Sequence, residues 1–383
     1  MDRDDVFAYS LLLLLILCFT IIVGGQQSLL LSVQVKGRVE QPLSIRSPTR
    51  PTLQEFSVPL GSGPHDVAPA NDRKTVWYTA QLSGKLGRLH PTTAKSHQIS
   101  LGNSSAPHGV IVGPDGAPWI IDGWLNVILR VDPKTEEVKL FTLPADSGYA
   151  NLNTATFDRS GILWFTCQSG IYGRLDPTTA KIEVFKAPRG MRPYGISTTP
   201  NGTVYFASLA GNYVARIDLH TGKATVLEPP TPNQGARRVW PDSYGHLWIT
   251  EWNVGQLASY DPVSKMWKES QLPGNNPMLY AVYVDHNDIV WLSDFGANAL
   301  LSFDPLQDKF HVFVLPSHGA DVHQILGRSG EIWGAESGTD KLNNHIRFSY
   351  CYSITKYYSY QDIFNQIDVI IQYLHTIQNS FSS

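Results

Sequence analysis

The amino-acid sequence predicts an all-β fold, a seven-bladed β-propeller with four-stranded blades, and three observations support it. A unit of about forty residues with four short apolar runs recurs along the chain, most clearly at 107–144. Each unit has a turn, usually closed by glycine, and then an aromatic residue, at Trp77, Trp119, Trp164, Tyr205, Trp248, Trp291 and Trp333. Intervals of 41 to 45 residues between these positions are typical of propeller blades. A strand-like segment at 55–59 precedes the first unit while the last unit lacks a fourth strand, so this N-terminal strand is expected to close the last blade.

Turn residues divide each unit into its strands. In the unit at 107–144 the turns are 114–116 and 132–134, because proline fixes φ and glycine tolerates positive φ. The turn after the third strand begins with aspartate in five units, at Asp132, Asp176, Asp218, Asp261 and Asp304. An aspartate carboxylate can accept hydrogen bonds from the turn backbone. We therefore predict that these aspartates are structural.

Composition limits the class of protein. The chain has 383 residues, of which 42% are hydrophobic and 16% charged, as expected for a folded protein with a large core. The formal net charge of −3 shows no basic excess, so nucleic acid is not expected as a partner. The three cysteines, Cys18, Cys167 and Cys351, are far apart in the sequence and do not form a disulfide framework.

The two ends of the chain differ from the repeats. Residues 1–25 contain an apolar run at 11–23 that predicts a signal peptide or a membrane anchor, and either places the protein outside the cytoplasm. Residues 26–52 are interpreted as a linker and 53–342 as the propeller. Residues 343–383 form a divergent tail to which no function is assigned.

The repeat register predicts two rings of side chains at one rim of the propeller. The first strand of each blade, here called the inner strand, lies nearest the propeller axis. The first ring, at the start of each inner strand, is His65, His108, Asn153, Tyr194, Arg237, Tyr280 and His323. The second ring, three residues after each repeat aromatic, is Ala80, Asp122, Cys167, Ser208, Glu251, Asp294 and Glu336. Polar residues dominate both rings, which favours a binding or catalytic site, although polar residues also line any water-filled channel mouth.

Asp321, His323 and Glu336 are the sharpest candidate cluster. Alternation along a strand places Asp321 and His323 on one face, and Glu336 ends the neighbouring strand. The two carboxylates could hold a hard cation such as Mg²⁺ through oxygen, which would leave His323 free as a general base.

Three segments carry a resemblance to a known family: Pro107-His108-Gly109-Val110, Gly161-Ile162-Leu163-Trp164-Phe165-Thr166 and Leu247-Trp248-Ile249-Thr250-Glu251-Trp252. Over roughly 53–342 the repeats resemble the streptogramin B lyases, the virginiamycin B lyase family. The resemblance implies a monomeric seven-bladed propeller that opens a cyclic depsipeptide antibiotic at its ester by elimination. It also implies Mg²⁺ to polarise a carbonyl group and a histidine to remove the adjacent carbon-bound proton.

The family pattern of Glu-x-His, with a second Glu on the next strand, implies that Asp321 and Glu336 hold the metal and that His323 is the base. Asp321 stands where the family has Glu, and the ungapped match to the second Glu is Ser337.

The resemblance also suggests residues that contact the substrate. Tyr280 stands where the family has a substrate-contacting histidine. We expect Tyr280, together with Arg237 and His108 of the first ring, to contact a small cyclic ester or peptide substrate.

Three functions are therefore considered. The first is a carbon–oxygen lyase of the virginiamycin B lyase kind. The second is a metal-dependent lactone hydrolase, although propellers of that kind usually have six blades. The third is a non-catalytic propeller that presents its rim to a ligand or a protein, because one fold hosts many functions.

Overall fold

The computed structural model describes residues 52–346, in which 28 strands form seven four-stranded antiparallel sheets. The strands are β1 (Thr52–Ser57), β2 (Pro64–Pro69), β3 (Val76–Ala80), β4 (Lys85–His90), β5 (Lys95–Ser100), β6 (Pro107–Val112), β7 (Pro118–Asp122), β8 (Val127–Val131), β9 (Val138–Thr142), β10 (Leu152–Phe157), β11 (Leu163–Cys167), β12 (Ile171–Leu175), β13 (Ile182–Lys186), β14 (Pro193–Thr198), β15 (Val204–Ser208), β16 (Tyr213–Ile217), β17 (Ala224–Leu227), β18 (Ala236–Pro241), β19 (Leu247–Glu251), β20 (Gln256–Asp261), β21 (Met266–Gln271), β22 (Leu279–Val284), β23 (Val290–Asp294), β24 (Ala299–Asp304), β25 (Lys309–Val314), β26 (Val322–Arg328), β27 (Glu331–Glu336) and β28 (Lys341–Ile346). Two short 3₁₀ helices, Gln81–Ser83 and Ala145–Ser147, lie in loops.

Six sheets are continuous in the sequence, from β2–β5 to β22–β25, and the seventh contains β26, β27, β28 and β1. The first strand of each sheet contacts the first strand of the next sheet around the whole circle, and the contact between β2 and β26 closes it. The fold is therefore an all-β, seven-bladed propeller, as the repeat predicted.

The N-terminal strand closes the last blade, which confirms the prediction. β1 pairs antiparallel with β28, with Thr52 opposite Ile346 and Ser57 opposite Lys341. β28 is the third strand of this blade and runs four residues beyond 342, into the segment that the sequence analysis assigned to the tail. The closure joins the two ends of the described chain and covers a sheet edge that would otherwise be open.

The repeat aromatics are buried, each on the second strand of its blade. Their exposed fraction is 8% or less, and they pack in the apolar layers between neighbouring blades. Five of them donate their indole N–H to a carboxylate in or beside the preceding turn, in the pairs Trp119–Asp115, Trp164–Asp158, Trp248–Asp242, Trp291–Asp285 and Trp333–Glu331. These bonds fix each indole while its ring supplies apolar area to the core.

The aspartates after the third strands are structural, as predicted. Asp132, for example, accepts hydrogen bonds from the backbone N–H groups of Lys134 and Thr135 at 2.8 and 2.9 Å. Asp176, Asp218, Asp261 and Asp304 accept equivalent bonds in their own turns.

The predicted signal or anchor at 1–25, the linker as far as residue 51 and the tail from residue 347 lie outside the described residues. Within 52–346, no helix combines the length and apolar composition needed to cross a membrane.

Candidate functional site

A β-bulge at the start of every inner strand positions the first ring. In all seven blades the pairing of the first and second strands shifts register at the ring residue, as between Pro64 and Val67 around His65, or between Val322 and Ile325 around His323. A bulge places two residues opposite one and re-aims their side chains. The first-ring side chains consequently point to the propeller axis.

The side chains of the first ring pack against one another at the axis. The ring centroids of His65 and His108 lie 3.8 Å apart, those of His65 and His323 4.3 Å, and those of Tyr280 and His323 4.6 Å. The Arg237 guanidinium lies 3.6 Å from the centroid of Tyr280. The structure thus brings together the ring that the sequence register predicted.

Hydrogen bonds complete the ring on the side away from His323. Asn153 Nδ2 lies 3.1 Å from His108 Nε2, and Arg237 Nη2 donates to the Tyr194 hydroxyl at 3.2 Å. The Tyr194 and Tyr280 hydroxyls also bond to each other. His108 and Tyr280 are buried, whereas Arg237 is half-buried. Arg237 is therefore the predicted substrate-contacting residue with the most accessible side chain.

Hydroxyl groups on the second strands hold the bulges in place. The Thr250 hydroxyl accepts from the backbone N–H of Arg238 at 3.0 Å and donates to the carbonyl of Tyr280, in the next blade, at 3.1 Å. Thr79 makes the same pair of bonds, from Asp66 N–H and to the His108 carbonyl, each at 2.9 Å. Each such hydroxyl fixes two neighbouring inner strands relative to each other.

The three histidines of the ring are neutral at physiological pH. Burial, followed by electrostatic interaction with the neighbouring His323 ring, lowers the pKa of His65 well below its ordinary value of 6.5, and burial does the same for His108. Burial lowers the pKa of His323 to about 4. A neutral imidazole can act as a base or as a hydrogen-bond partner.

His323 is held in one tautomer. Its Nδ1 lies 2.9 Å from the backbone carbonyl of Asp321 and 2.8 Å from the Ser337 hydroxyl, which itself donates to that carbonyl. Since a carbonyl oxygen only accepts, Nδ1 carries the proton. Nε2 is then the unprotonated nitrogen, and no described residue hydrogen-bonds to it.

Asp321 and Glu336 occupy different environments. The Asp321 side chain is exposed, whereas Glu336 is fully buried. Glu336 accepts from Asn343 Nδ2 at 3.0 Å and from the Thr339 hydroxyl at 2.8 Å, so both its oxygens are bonded inside the blade. The possible ligand atoms of Asp321, His323 and Glu336 do not all lie within 4.8 Å of one another. Those of another group of described residues do.

That other group is His65, Asp66 and His108, all buried. Asp66 Oδ1 lies 2.8 Å from His65 Nδ1 and 3.5 Å from Arg238 Nη2. Sequence reasoning missed Asp66 and Arg238, which directly follow first-ring residues and also face the axis because of the bulge. The sequence signal for these two residues was the presence of two adjacent polar pairs, His65-Asp66 and Arg237-Arg238. Strict strand alternation would turn only one residue of each pair toward the axis.

The repeat register placed the second ring on the same rim as the first, and the structure shows its side chains inside the blades and loops. All seven of its members are buried. Asp122 accepts from the N–H groups of Trp124 and Leu125, and Asp294 from those of Met278 and Gly296, so these carboxylates order loops. The Glu251 carboxylate has no hydrogen-bond partner in the described part of the chain, and burial raises its pKa to about 8.

Aromatic side chains extend the site above the first ring. Phe295 stacks on Tyr280 with centroids 5.1 Å apart, and Trp252 lies 4.3 Å from the Arg237 guanidinium. A cavity of about 340 Å³ beside Arg237 is lined by Tyr194, Arg192 and Trp252. The mouth therefore offers a cation and aromatic surfaces next to the neutral base His323.

Comparisons with known proteins agree with this architecture. The virginiamycin B lyase of Nocardia farcinica is 30% identical over 230 residues, which cover 59% of this chain and 76% of the relative. A solved streptogramin B lyase superposes with a TM-score of 0.71 at 21% identity, covering 76% of this chain and 96% of that one. A catalytically inactive histidine-to-alanine variant of virginiamycin B lyase from Staphylococcus aureus, solved with quinupristin, has the same TM-score and identity and is covered to 98%.

These structures share the propeller fold with this chain. The profile of the virginiamycin B lyase family matches residues 18–269, well over half of the sequence. The chain belongs to the virginiamycin B lyase family.

Proposed function

We propose that the protein is a carbon–oxygen lyase that opens a cyclic ester peptide by elimination, with His323 as the general base. The observation that carries the proposal is the fixed orientation of His323. Its Nδ1 is bonded to Asp321 and Ser337, so the unprotonated Nε2 is available at the mouth of the channel. The low pKa of His323, about 4 because of burial, keeps this nitrogen unprotonated at neutral pH.

In the proposed reaction, Nε2 of His323 removes a carbon-bound proton next to a carbonyl group of the substrate. The electron pair of the broken C–H bond forms a C=C bond, the alkyl C–O bond of the ester breaks, and the ester oxygen leaves in a carboxylate. Negative charge develops on the substrate carbonyl oxygen as the proton leaves. Arg237, which is cationic and half-buried beside Tyr280, is the residue we assign to stabilise that charge.

A requirement for Mg²⁺ stays a prediction from the resemblance. Both oxygens of Glu336 are hydrogen-bonded inside the blade, and Ser337 occupies the position beside Asp321 and His323. Asp321 and Glu336 as they stand do not fit a shared ion, and we assign no step of the reaction to one.

The test is incubation of the purified protein with quinupristin, followed by mass spectrometry of the product. Elimination leaves the product mass equal to that of the substrate, whereas hydrolysis adds one water. We expect ring opening without a mass change, lost in His323→Ala and retained in His286→Ala, which alters an exposed histidine in a turn. A product with one added water would instead identify a lactone hydrolase.

The second candidate is a non-catalytic propeller that binds a ligand. It is favoured by the burial of Glu336, the carboxylate that was expected to hold a metal ion beside His323. In that case quinupristin or a related peptide would bind at the mouth without being opened. Binding that persists in His323→Ala, with no turnover by the unmodified protein, would support this alternative and refute the lyase proposal.

A further inference from the structure

A second pocket lies in the central channel, on the side of the first ring opposite the candidate active site. Its volume is about 550 Å³, within the range of small-molecule sites. The inner strands begin at the first ring, so their last residues lie at the opposite rim. These residues supply the apolar walls of the far-side pocket, among them Ile111, Phe157, Trp240, Tyr283 and Leu326.

The packed first ring separates this pocket from the mouth. The close ring contacts between His65, His108 and His323 fill the axis at that level. A ligand in the far-side pocket would therefore not share space with a substrate at His323.

The floor of the far-side pocket is polar. It is formed by the residues that follow the first ring in each bulge, which include Asp66, Thr154, Arg238 and Gln324. Arg238 is 3% exposed, and its Nη1 donates to the Thr154 hydroxyl at 2.6 Å. Its Nε and Nη2 have no hydrogen-bond partner among the described residues, although Nη2 lies 3.5 Å from Asp66 Oδ1. Gln324 is 5% exposed, and its Oε1 has no hydrogen-bond partner within residues 52–346. The floor thus offers unused donors and an unused acceptor, and leaving such groups unpaired costs free energy.

The charges at the floor select against an anion. Asp66 Oδ1 lies 3.5 Å from Arg238 Nη2, so the nearest carboxylate already offsets the guanidinium charge. A ligand carboxylate bound at Arg238 would also lie close to the Asp66 carboxylate, and the two like charges would repel each other. A neutral amide has a carbonyl oxygen to accept from Arg238 and an N–H to donate to Gln324.

We propose that the far-side pocket binds an uncharged ligand with an amide group and an apolar or aromatic body. Arg238 donates to the amide oxygen, Gln324 accepts from the amide N–H, and Trp240 and Tyr283, whose rings lie 5.3 Å apart, contact the body. This proposal does not rest on the lyase reaction.

The experiment is isothermal titration calorimetry of the full chain with 3-phenylpropanamide and, as a matched probe, 3-phenylpropanoate at pH 7.5. For a ligand of this size we expect a Kd on the order of 1 mM for the amide. We expect the carboxylate to bind about tenfold more weakly, and Asp66→Asn to remove that difference. Arg238→Met and Gln324→Leu should each weaken binding of the amide about tenfold, because one hydrogen bond is lost.

His323→Ala is the control and should bind the amide like the unmodified protein. The proposal would be overturned if the amide failed to bind, or if it bound Gln324→Leu as tightly as the unmodified protein. Loss of binding in His323→Ala would place the amide at the mouth instead. Circular dichroism checks folding of each variant. If Arg238→Met does not fold, Gln324→Leu and Trp240→Ala decide the question.

Discussion

The Ser337 hydroxyl lies 2.8 Å from Nδ1 of His323. The sequence left open whether Ser337 or Glu336 corresponds to the second Glu of the family pattern. Strand register decides the matter. Glu336 pairs with Val322, and the Ser337 hydroxyl consequently donates to the carbonyl of Asp321 at 3.1 Å, next to His323. A shift of one residue reverses the face of a strand, so Glu336 points into the blade.

This register predicts the effect of placing a carboxylate at position 337 instead of position 336. Ser337→Glu should place a carboxylate beside Asp321 and His323, and we expect this variant to gain thermal stabilisation by millimolar Mg²⁺. Glu336→Gln should leave the response to Mg²⁺ unchanged, because the Glu336 oxygens bond Thr339 and Asn343. Thermal unfolding with and without Mg²⁺ measures both. A Mg²⁺ response of the unmodified protein that disappears in Glu336→Gln would show instead that Glu336 reaches the ion.

Acid should destabilise the protein through the histidines of the first ring. Burial lowers the pKa of His323 to about 4, and those of His65 and His108 well below 6.5. The unfolded chain therefore binds more protons on these residues than the folded protein does, and the free energy of unfolding falls as the pH drops from 6.5 toward 4.

In His323→Asn we expect the decrease in free energy of unfolding between pH 7 and pH 5 to be smaller by about 2 kcal/mol, because one such group is removed. Urea unfolding at the two pH values measures this, with His286→Asn as the control. An identical decrease in His323→Asn and the unmodified protein would contradict the low pKa of His323.

Closure of the last blade should depend on Glu55. Its carboxylate accepts from Lys341 Nζ at 2.6 Å and from the backbone N–H and hydroxyl of Ser317 at 2.8 and 2.7 Å. Burial raises the pKa of Glu55, but these hydrogen bonds outweigh it and the pKa lies below its ordinary value.

We expect Glu55→Gln to lower the free energy of unfolding by about 1–2 kcal/mol at pH 7. The difference should shrink as the pH falls below about 4.5, where Glu55 becomes protonated. Urea unfolding followed by tryptophan fluorescence is the measurement, and Glu137→Gln, at an exposed turn residue, is the control. A difference that stays constant down to pH 3 would mean that the Glu55 charge is unimportant.

The Thr250 hydroxyl should stabilise the first ring. Thr250→Val leaves the buried N–H of Arg238 and the carbonyl of Tyr280 without their shared partner, and we expect a loss of about 2 kcal/mol in the free energy of unfolding. Thr250→Ser keeps the hydroxyl and should lose less than about 1 kcal/mol. Equal losses in the two variants would show that the methyl group, rather than the hydrogen bonds, is what matters.

Much of the fold could be read from the sequence because it is a repeat. Regular spacing of buried aromatics such as Trp77 and Trp333 reflects the same four-strand unit in every blade, and the missing fourth strand identified the N-terminal closure. The same register correctly placed the members of the first ring at the starts of the inner strands.

The sequence by itself determined the number of blades, the closure and the members of the first ring, because these follow from periodicity along one chain. Only the tertiary structure decided which polar groups meet. The bulges turn Asp66 and Arg238 toward the axis, and strand register buries Glu336 while it brings Ser337 to His323. Bulges and register are set by hydrogen bonds between strands and blades, such as those of Thr79 and Thr250, and spacing along the sequence does not reveal which partners those bonds join.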